Sequence, residues 1–305
     1  MTYRPSFSRL TSLCVLLVCI LPQICAQGAI APDTLVITGA RFTYPLIEAC
    51  ITAFRNEHPE IAVRIKRRGL RDPEDADIVI NAHKLGKTEI QPGWEYRNFA
   101  RYVLLPATNA RSEFAKEFAQ KGLNNKQLRS LFFEEDLNSK YAADAQPVIL
   151  PKHTLYKRAQ YAGSTVILAQ QFGSEVSEVK GIGVAGEDWH LVLAIQADTN
   201  GVTYNNPGYL FDLKTRQPLA GIQIIPVDLD GNGWVEKEER IYDHLDRVLD
   251  QLEQTESKNV PCAFLNLGYA RRSANPAVTV FVDWFFRNSP GFLRAYGFLS
   301  TGEKS

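Results

Sequence analysis

Short β-type runs alternate with helical patterns along nearly the whole chain, and this alternation constrains the fold more than any other feature. Residues 34–38 read as a strand, after which Pro45 opens a helix at its first turn, where the N–H it lacks would have no partner anyway. Leu46, Ile47, Cys50, Ile51 and Phe54 fall on one face of that helix, and His58-Pro59 ends it. Further extended runs are expected at 62–66, 77–80, 101–105, 147–150, 179–184, 201–205 and 222–227. Helices are expected at 112–120, 125–133, 163–172, near 188–197, at about 239–254 and at 275–288, the last opened by Asn275-Pro276. Strands and helices in this order predict an α/β protein whose mostly parallel sheets are flanked by helices.

Composition narrows the function classes. With 34 Lys and Arg against 34 Asp and Glu in 305 residues, the chain has no electrostatic case for nucleic acid or an anionic membrane as its main partner. A chain this long, with 45% hydrophobic residues, can bury a sizeable core and is expected to form two lobes. At the N-terminus, Arg4 and Arg9 precede an apolar run at 13–21, and Ile24-Cys25-Ala26 offers a small-residue cleavage site. The run is shorter than the roughly 20 residues that span a bilayer. Residues 1–26 are therefore expected to be a cleaved signal peptide, and Ile24 is a poor fit before a lipidated cysteine, so the mature chain is expected to be exported, unanchored and periplasmic. Three of the five cysteines leave with the leader. Cys50 and Cys262 remain, either as a disulfide or as two separate buried thiols.

Nothing in the sequence assembles a catalytic centre. His58, His83, His153, His190 and His244 are scattered, and no nucleophile elbow, Walker loop or paired-cysteine motif is present. The expectation is a binding protein and not an enzyme. Two segments suit an anion. Residues 37–45, Ile-Thr-Gly-Ala-Arg-Phe-Thr-Tyr-Pro, run from a strand end through a small-residue turn into a helix start, whose exposed N–H groups and dipole attract negative charge. Residues 158–165, Arg-Ala-Gln-Tyr-Ala-Gly-Ser-Thr, combine a guanidinium fork, a glycine that lets backbone approach a ligand, and two hydroxyls at a helix start.

These two segments make the chain resemble the phosphate-binding periplasmic proteins of ABC transporters. The first is similar to that family's opening turn, and the second to its arginine-bearing anion loop. Residues 122–132, the Tyr204-Asn205-Asn206-Pro207-Gly208-Tyr209 stretch and Gly297-Phe298-Leu299 fit as well, so the resemblance spans roughly 35–300. It implies the two-lobed type II periplasmic binding fold, with one lobe from 33–104 plus 245–305 and the other from 105–244. It also implies a monomer that captures phosphate or a similar tetrahedral oxyanion and hands it to an ABC permease. Carried over residue by residue, it gives Thr43 a hydroxyl and backbone donor role, Tyr44 and Gly163 backbone donors, Arg158 a charge and Ser164 a hydroxyl. The sequence departs from the pattern in three places. Ala162 stands where a serine is usual, Lys66-Arg67-Arg68-Gly69-Leu70 lacks the hydroxyl of the early loop, and Asn81 or His83 stands near the usual acceptor aspartate. A carboxylate that only accepts hydrogen bonds rejects fully ionised sulfate, so its replacement leaves open which oxyanion is bound.

Residues 228–239 fill every place of the twelve-residue EF-hand loop. Asp228, Asp230 and Asn232 supply oxygens at positions 1, 3 and 5, the Trp234 carbonyl fits position 7, Glu239 fits the bidentate position 12, and Gly233 permits the sharp turn. The preceding run reads as a strand, so the expectation is a single strand–loop–helix site holding structural Ca²⁺, against a polar turn with no metal. The second functional hypothesis follows from this loop: a calcium-stabilised secreted interaction protein with the same fold and no transport role. A third, a secreted phosphatase, lacks a base beside its hydroxyls.

Overall fold

The computed structural model describes residues 34–66, 76–133, 148–159, 161–255 and 257–302. The expected signal peptide at 1–26 and the basic pair Arg67-Arg68 lie outside the described residues.

The strands form two five-stranded sheets. In the first, β2 (Val63–Ile65), β1 (Leu35–Gly39), β3 (Ile78–Asn81), β10 (Cys262–Ala270) and β4 (Trp94–Val103) lie in that spatial order. β1 runs parallel to β2 and β3, whereas β10 runs antiparallel to β3 and β4. The second sheet orders β7 (Ile182–Val184), β6 (Thr154–Arg158), β8 (Gly201–Asn205), β5 (Leu105–Asn109) and β9 (Ile222–Ile224). Here β6 is parallel to β7 and β8, and β5 is antiparallel to β8 and β9. Both sheets are thus mixed. Parallel pairing dominates only where helical crossovers connect the strands, as expected for units that need a helix to return the chain.

Helices cover the sheets. α1 (Tyr44–Glu57) buries Leu46, Ile47, Cys50, Ile51 and Phe54, the face read from the sequence. It packs on α8 (Ala277–Asn288), where Phe54 meets Phe281 and Trp284 edge-on at ring distances of 5.1 and 5.5 Å. α2 (Glu113–Lys121) and α3 (Asn125–Phe132) begin at Ser112 and Asn124, whose side chains accept N–H bonds from Ala115 and Gln127. α4 (Gly163–Gln171), α5 (Trp189–Ala197), the short α6 (Pro207–Leu210) and α7 (Leu245–Gln254) complete the set.

The structure differs from the sequence reading in several places. The apolar run at 101–105 is two strands, because Leu104 lies between β4 and β5 and carries the chain from one sheet to the other. The Leu104 N–H donates to the Pro261 carbonyl at 3.0 Å, just where the chain returns to β10, so the two crossings lie side by side. β6, β10 and most of β4 were missed, since their tyrosines, arginines and asparagines mask a period-two pattern. Residues 148–150 form no strand. The helix expected from 239 begins only at Leu245, because Lys237–Glu239 is a 3₁₀ turn that points Glu239 back into its loop. Cys50 is buried and Cys262 exposed, and they remain separate thiols; burial pushes the Cys50 thiol up to about 12.

Ahead of α7, Arg216 adopts a left-handed backbone at φ 64°. Its guanidinium donates to both Asp246 carboxylate oxygens, at 3.2 and 2.5 Å, and to the Arg294 carbonyl at 2.9 Å. The Arg216 hydrogen bond holds the Asp246 carboxyl below its usual range. A lowered folded value means this contribution is complete above the unfolded carboxylate value near 3.9 and is lost as acid takes the pH through the folded value. Asp246→Asn is therefore expected to lower the melting midpoint at pH 7, with the gap to wild type closing below about pH 4. A gap of constant size from pH 7 to pH 2 would show that Asp246 does not act through its charge.

Candidate functional site

A cleft of about 890 Å³ opens between the ends of β1 and β3 on one side and the end of β6 with the starts of α4 and α5 on the other. Both anion-suited segments read from the sequence therefore contribute to one cavity.

On the first-sheet side, the chain leaves β1 at Gly39, whose φ is 126° and where a Cβ would lie 2.1 Å from the Ile80 carbonyl oxygen. Only glycine lets the turn lie this close to β3. A 3₁₀ turn at Arg41–Thr43 follows and then α1. Thr43 is fully buried, and both its N–H and its hydroxyl donate to the Ala40 carbonyl, at 3.0 and 2.7 Å. The Tyr44 N–H donates to the Arg41 carbonyl, and its hydroxyl to Gly39 at 3.3 Å. The turn thus uses Thr43 and Tyr44 for its own hydrogen bonds. Arg41 and Phe42, which precede its first internal bond, line the cleft instead.

The exit of β3 is pinned from β10 and β4. Asn81 donates to Asn266 at 3.0 Å, Asn266 donates to the His83 carbonyl at 3.4 Å, and the Tyr102 hydroxyl donates to the Ala82 carbonyl at 2.6 Å. His83 faces the cleft with Nε2 3.0 Å from a Glu89 carboxylate oxygen, and its ring stands edge-on to Tyr161 at 6.3 Å. Glu89 is held below the usual carboxylate range, first by the Gly86 N–H and then by His83.

On the second-sheet side, Arg158 ends β6 and is only 6% exposed. One of its terminal nitrogens donates to the Gly186 carbonyl, and Nε lies 3.4 Å from Asp188 Oδ1. Nε and Nη1 have no hydrogen-bond acceptor among the described residues. Buried guanidinium donors without acceptors are costly, and they mark a place for an anion. Next to them α4 starts without a side-chain cap, because Ala162 carries no oxygen, so its first N–H groups and the Ser164 hydroxyl edge face the cleft. Gly163 lies against Ala82 across the cleft, where a Cβ would come within 3.0 Å of the Ala82 Cβ.

Three groups in this site were not foreseen from the sequence. Asp188 looks like an ordinary cap before a helix, yet it makes no cap bond. Asn205 holds its backbone carbonyl at 2.7 Å, and its side chain turns to the cleft, accepting from Ser164 at 3.3 Å. Burial pushes the Asp188 carboxyl up, with Arg158 pulling against it. Arg41 reaches across the cleft to Glu187 and to the Gly186 carbonyl, each at 3.4 Å. No local pattern marks Asp188, Glu187 or the reach of Arg41, because their meeting depends on the crossing of two sheets.

The 228–239 loop forms a second candidate site. Asp228 accepts N–H bonds from Gly231, Asn232 and Gly233 at 2.7–3.2 Å. Asp228, Asp230 and Glu239 bring carboxylate oxygens within 4.8 Å of one another. Asn232 accepts the Trp234 N–H at 2.9 Å and donates to Asp230 and Glu236, and the Trp234 side chain is exposed. Three hard oxygen donors converging on one point, two of them from buried residues, are a donor set that fits Ca²⁺ and would otherwise repel one another.

No protein-family model matches the sequence, and no curated protein matches it. Solved structures match throughout the described body. An ABC-type phosphate transport receptor from Vibrio cholerae superposes with a TM-score of 0.57 at 13% identity, covering 87% of this chain and 99% of the receptor. A structure described as a phosphate ABC transporter substrate-binding protein with bound phosphate, from Clostridium perfringens, gives 0.61 at 14% identity, covering 88% and 100%. The regulatory domain of CcmR from Synechocystis in complex with 2-PG gives 0.54 at 12% identity, covering 84% and 97%. The chain has the two-lobed periplasmic binding protein fold, a fold that in these neighbours serves both transport receptors and a regulatory domain.

The Arg158–Asp188 pair makes its own prediction. Asp188→Ala strands a buried guanidinium, which is expected to cost about 3 kcal/mol in chemical unfolding at pH 7. Adding Arg158→Met to this variant should recover most of that loss, because it removes the stranded charge. No recovery would mean that Asp188 does not act through Arg158.

Proposed function

We propose that this chain is an exported, periplasmic solute-binding protein that closes its two lobes on phosphate or a related tetrahedral oxyanion and delivers it to an ABC permease. The observation that carries this reading is Arg158, a buried guanidinium with two donors that lack acceptors among the described residues, at the wall of the cleft between the sheets. In this reading the anion takes those donors, the Ser164 hydroxyl and the N–H groups of Gly163 and its neighbours, and Arg41 approaches from the other lobe. Thr43 and Tyr44 shape the turn that presents Arg41. His83 faces the same cleft from the end of β3. The chain works as a monomer whose lobes are 33–104 with 245–305 and 105–244, once the 1–26 leader is removed. The similarity to the Vibrio phosphate transport receptor and to the Clostridium protein with bound phosphate supports the choice of ligand class.

Ca²⁺ has a structural role in this reading, held by Asp228, Asp230, Asn232, Glu239 and the Trp234 carbonyl. It would supply positive charge where three carboxylates converge, and the loop residues would orient those oxygens. The hypothesis of a calcium-stabilised secreted interaction protein with no transport role is not favoured, because it leaves the Nε and Nη1 donors of Arg158 without an acceptor.

Two measurements test these assignments. Calorimetric titration of the anion-stripped protein with phosphate should show one-to-one binding. Arg158→Ala should weaken it by roughly 10- to 150-fold, the loss of one or more charge-assisted hydrogen bonds at about 1.5–3 kcal/mol each. Unchanged affinity in the variant would remove Arg158 from the site. For the metal, Ca²⁺ at a hundredfold excess over its Kd should add about 2.7 kcal/mol and raise Tm by several degrees over protein in chelator. Asp228→Asn should abolish that difference, and a wild-type midpoint insensitive to chelator would show that the loop binds no Ca²⁺.

A further inference from the structure

We infer that the cleft is built for an organic oxyanion that also carries a cationic nitrogen, such as an amine-bearing phosphate ester, and that a bare inorganic ion fills only one end of it. The inference rests on the oxyanion reading above and concerns the rest of the ligand.

Size is the first observation. The two walls already touch: Arg41 meets Glu187 and Gly186, Gly163 packs against Ala82, and Tyr161 stands against His83. With these contacts made, about 890 Å³ remains. That lies within the range of roughly 300–1,000 Å³ typical of pockets for whole organic ligands and far exceeds the needs of one tetrahedral ion.

Charge is the second. The described residues lining the cleft include two guanidinium groups, Arg41 and Arg158, and three carboxylates, Glu89, Glu187 and Asp188. These five side chains sum to a net charge of minus one. Glu187 and Asp188 each face an arginine at 3.4 Å. Glu89 pairs with His83 and the Gly86 N–H, at 3.0 and 2.7 Å, and with no arginine or lysine in a salt bridge among the described residues. An oxyanion that draws on the two arginines weakens their hold on Glu187 and Asp188, so binding a purely anionic ligand increases a negative surplus that already exists. A ligand that brings its own positive charge to the Glu89 end removes that conflict.

The walls near Glu89 suit such a group. Trp94 and Tyr96 line the cleft with near-parallel rings 6.4 Å apart, and the Tyr96 hydroxyl accepts the Gln91 N–H at 3.1 Å, which ties this pair to the segment carrying Glu89. Tyr161 feels the Glu89 charge, which helps burial push its hydroxyl up. Aromatic faces and a carboxylate in one lining can receive an ammonium group. The cleft thus combines guanidinium and helix-start donors for the oxyanion with a carboxylate and aromatic faces for the cation.

Calorimetry with three probes, O-phosphoethanolamine, ethyl phosphate and inorganic phosphate, tests this. Phosphoethanolamine is expected to bind at least tenfold tighter than either of the others. Glu89→Gln should bring it to within about twofold of ethyl phosphate and leave inorganic phosphate unchanged, and Trp94→Ala should weaken phosphoethanolamine selectively, which guards against a folding defect in one variant. Inorganic phosphate binding as tightly as phosphoethanolamine, or ethyl phosphate matching it, would overturn the inference while leaving the oxyanion clamp intact. Binding of none of the three would overturn the oxyanion reading and this inference together.

Discussion

Burying a guanidinium at the wall of a cleft is an expensive arrangement, and much of the surrounding structure answers to it. Arg158 cannot discard its charge, and the Gly186 carbonyl and the Asp188 carboxylate are placed beside it. Gly186 turns its carbonyl to Arg158 and to Arg41, which is possible because its φ of 108° places a bare Cα against the His190 ring. Asp188 gives up capping α5 to face the guanidinium. The start of α4 is left uncapped beside it. These choices weaken local structure and concentrate donors at one point, the pattern expected where binding has overridden stability.

The calcium-type loop belongs to the same architecture through the crossing strands. Asp228 donates its N–H to Leu123, Asn124 donates to Gly233, and Asn259 donates to Asp228, at 3.1, 3.1 and 2.7 Å. Lys258 and Ser257 both donate to Leu229. The loop is therefore wired to the segment that leads to Pro261, and Pro261 is bonded to Leu104 at the other crossing. A cation in this loop would stiffen the place where the chain passes between sheets without entering the cleft.

How much of this was legible in the sequence depended on how local each signal is. β1, α1, α4 and the 228–239 loop were readable because a helix face, a capping proline or a loop with fixed spacing is written in consecutive residues. β10 and β4 were not, because Cys262–Ala270 and Trp94–Val103 are strands only by virtue of each other, with Gly268 lying under the Tyr96 ring. The site divided along the same line. Arg158, Gly163 and Ser164 lie at the cleft and are marked by the helix start at Gly163, whereas His83 lies there too and is marked only by the family resemblance. Thr43 and Tyr44 sit one turn too deep, because a 3₁₀ turn ahead of α1 takes up the N–H groups that a direct helix start would have left exposed. Asp188 and Glu187 could be found only once the two sheets were in register.

Arg158 donates to Gly186 and lies against Asp188, yet its Nε and Nη1 have no hydrogen-bond acceptor among the described residues; the proposed oxyanion would supply one, and the guanidinium can report this directly. The ¹⁵N-resolved Nε–H signal of Arg158, assigned by its loss in Arg158→Lys, should move saturably downfield when phosphate or phosphoethanolamine is added, as a free donor gains a charged partner. An Nε–H signal that stays in place while calorimetry records binding would contradict the account and place the anion elsewhere.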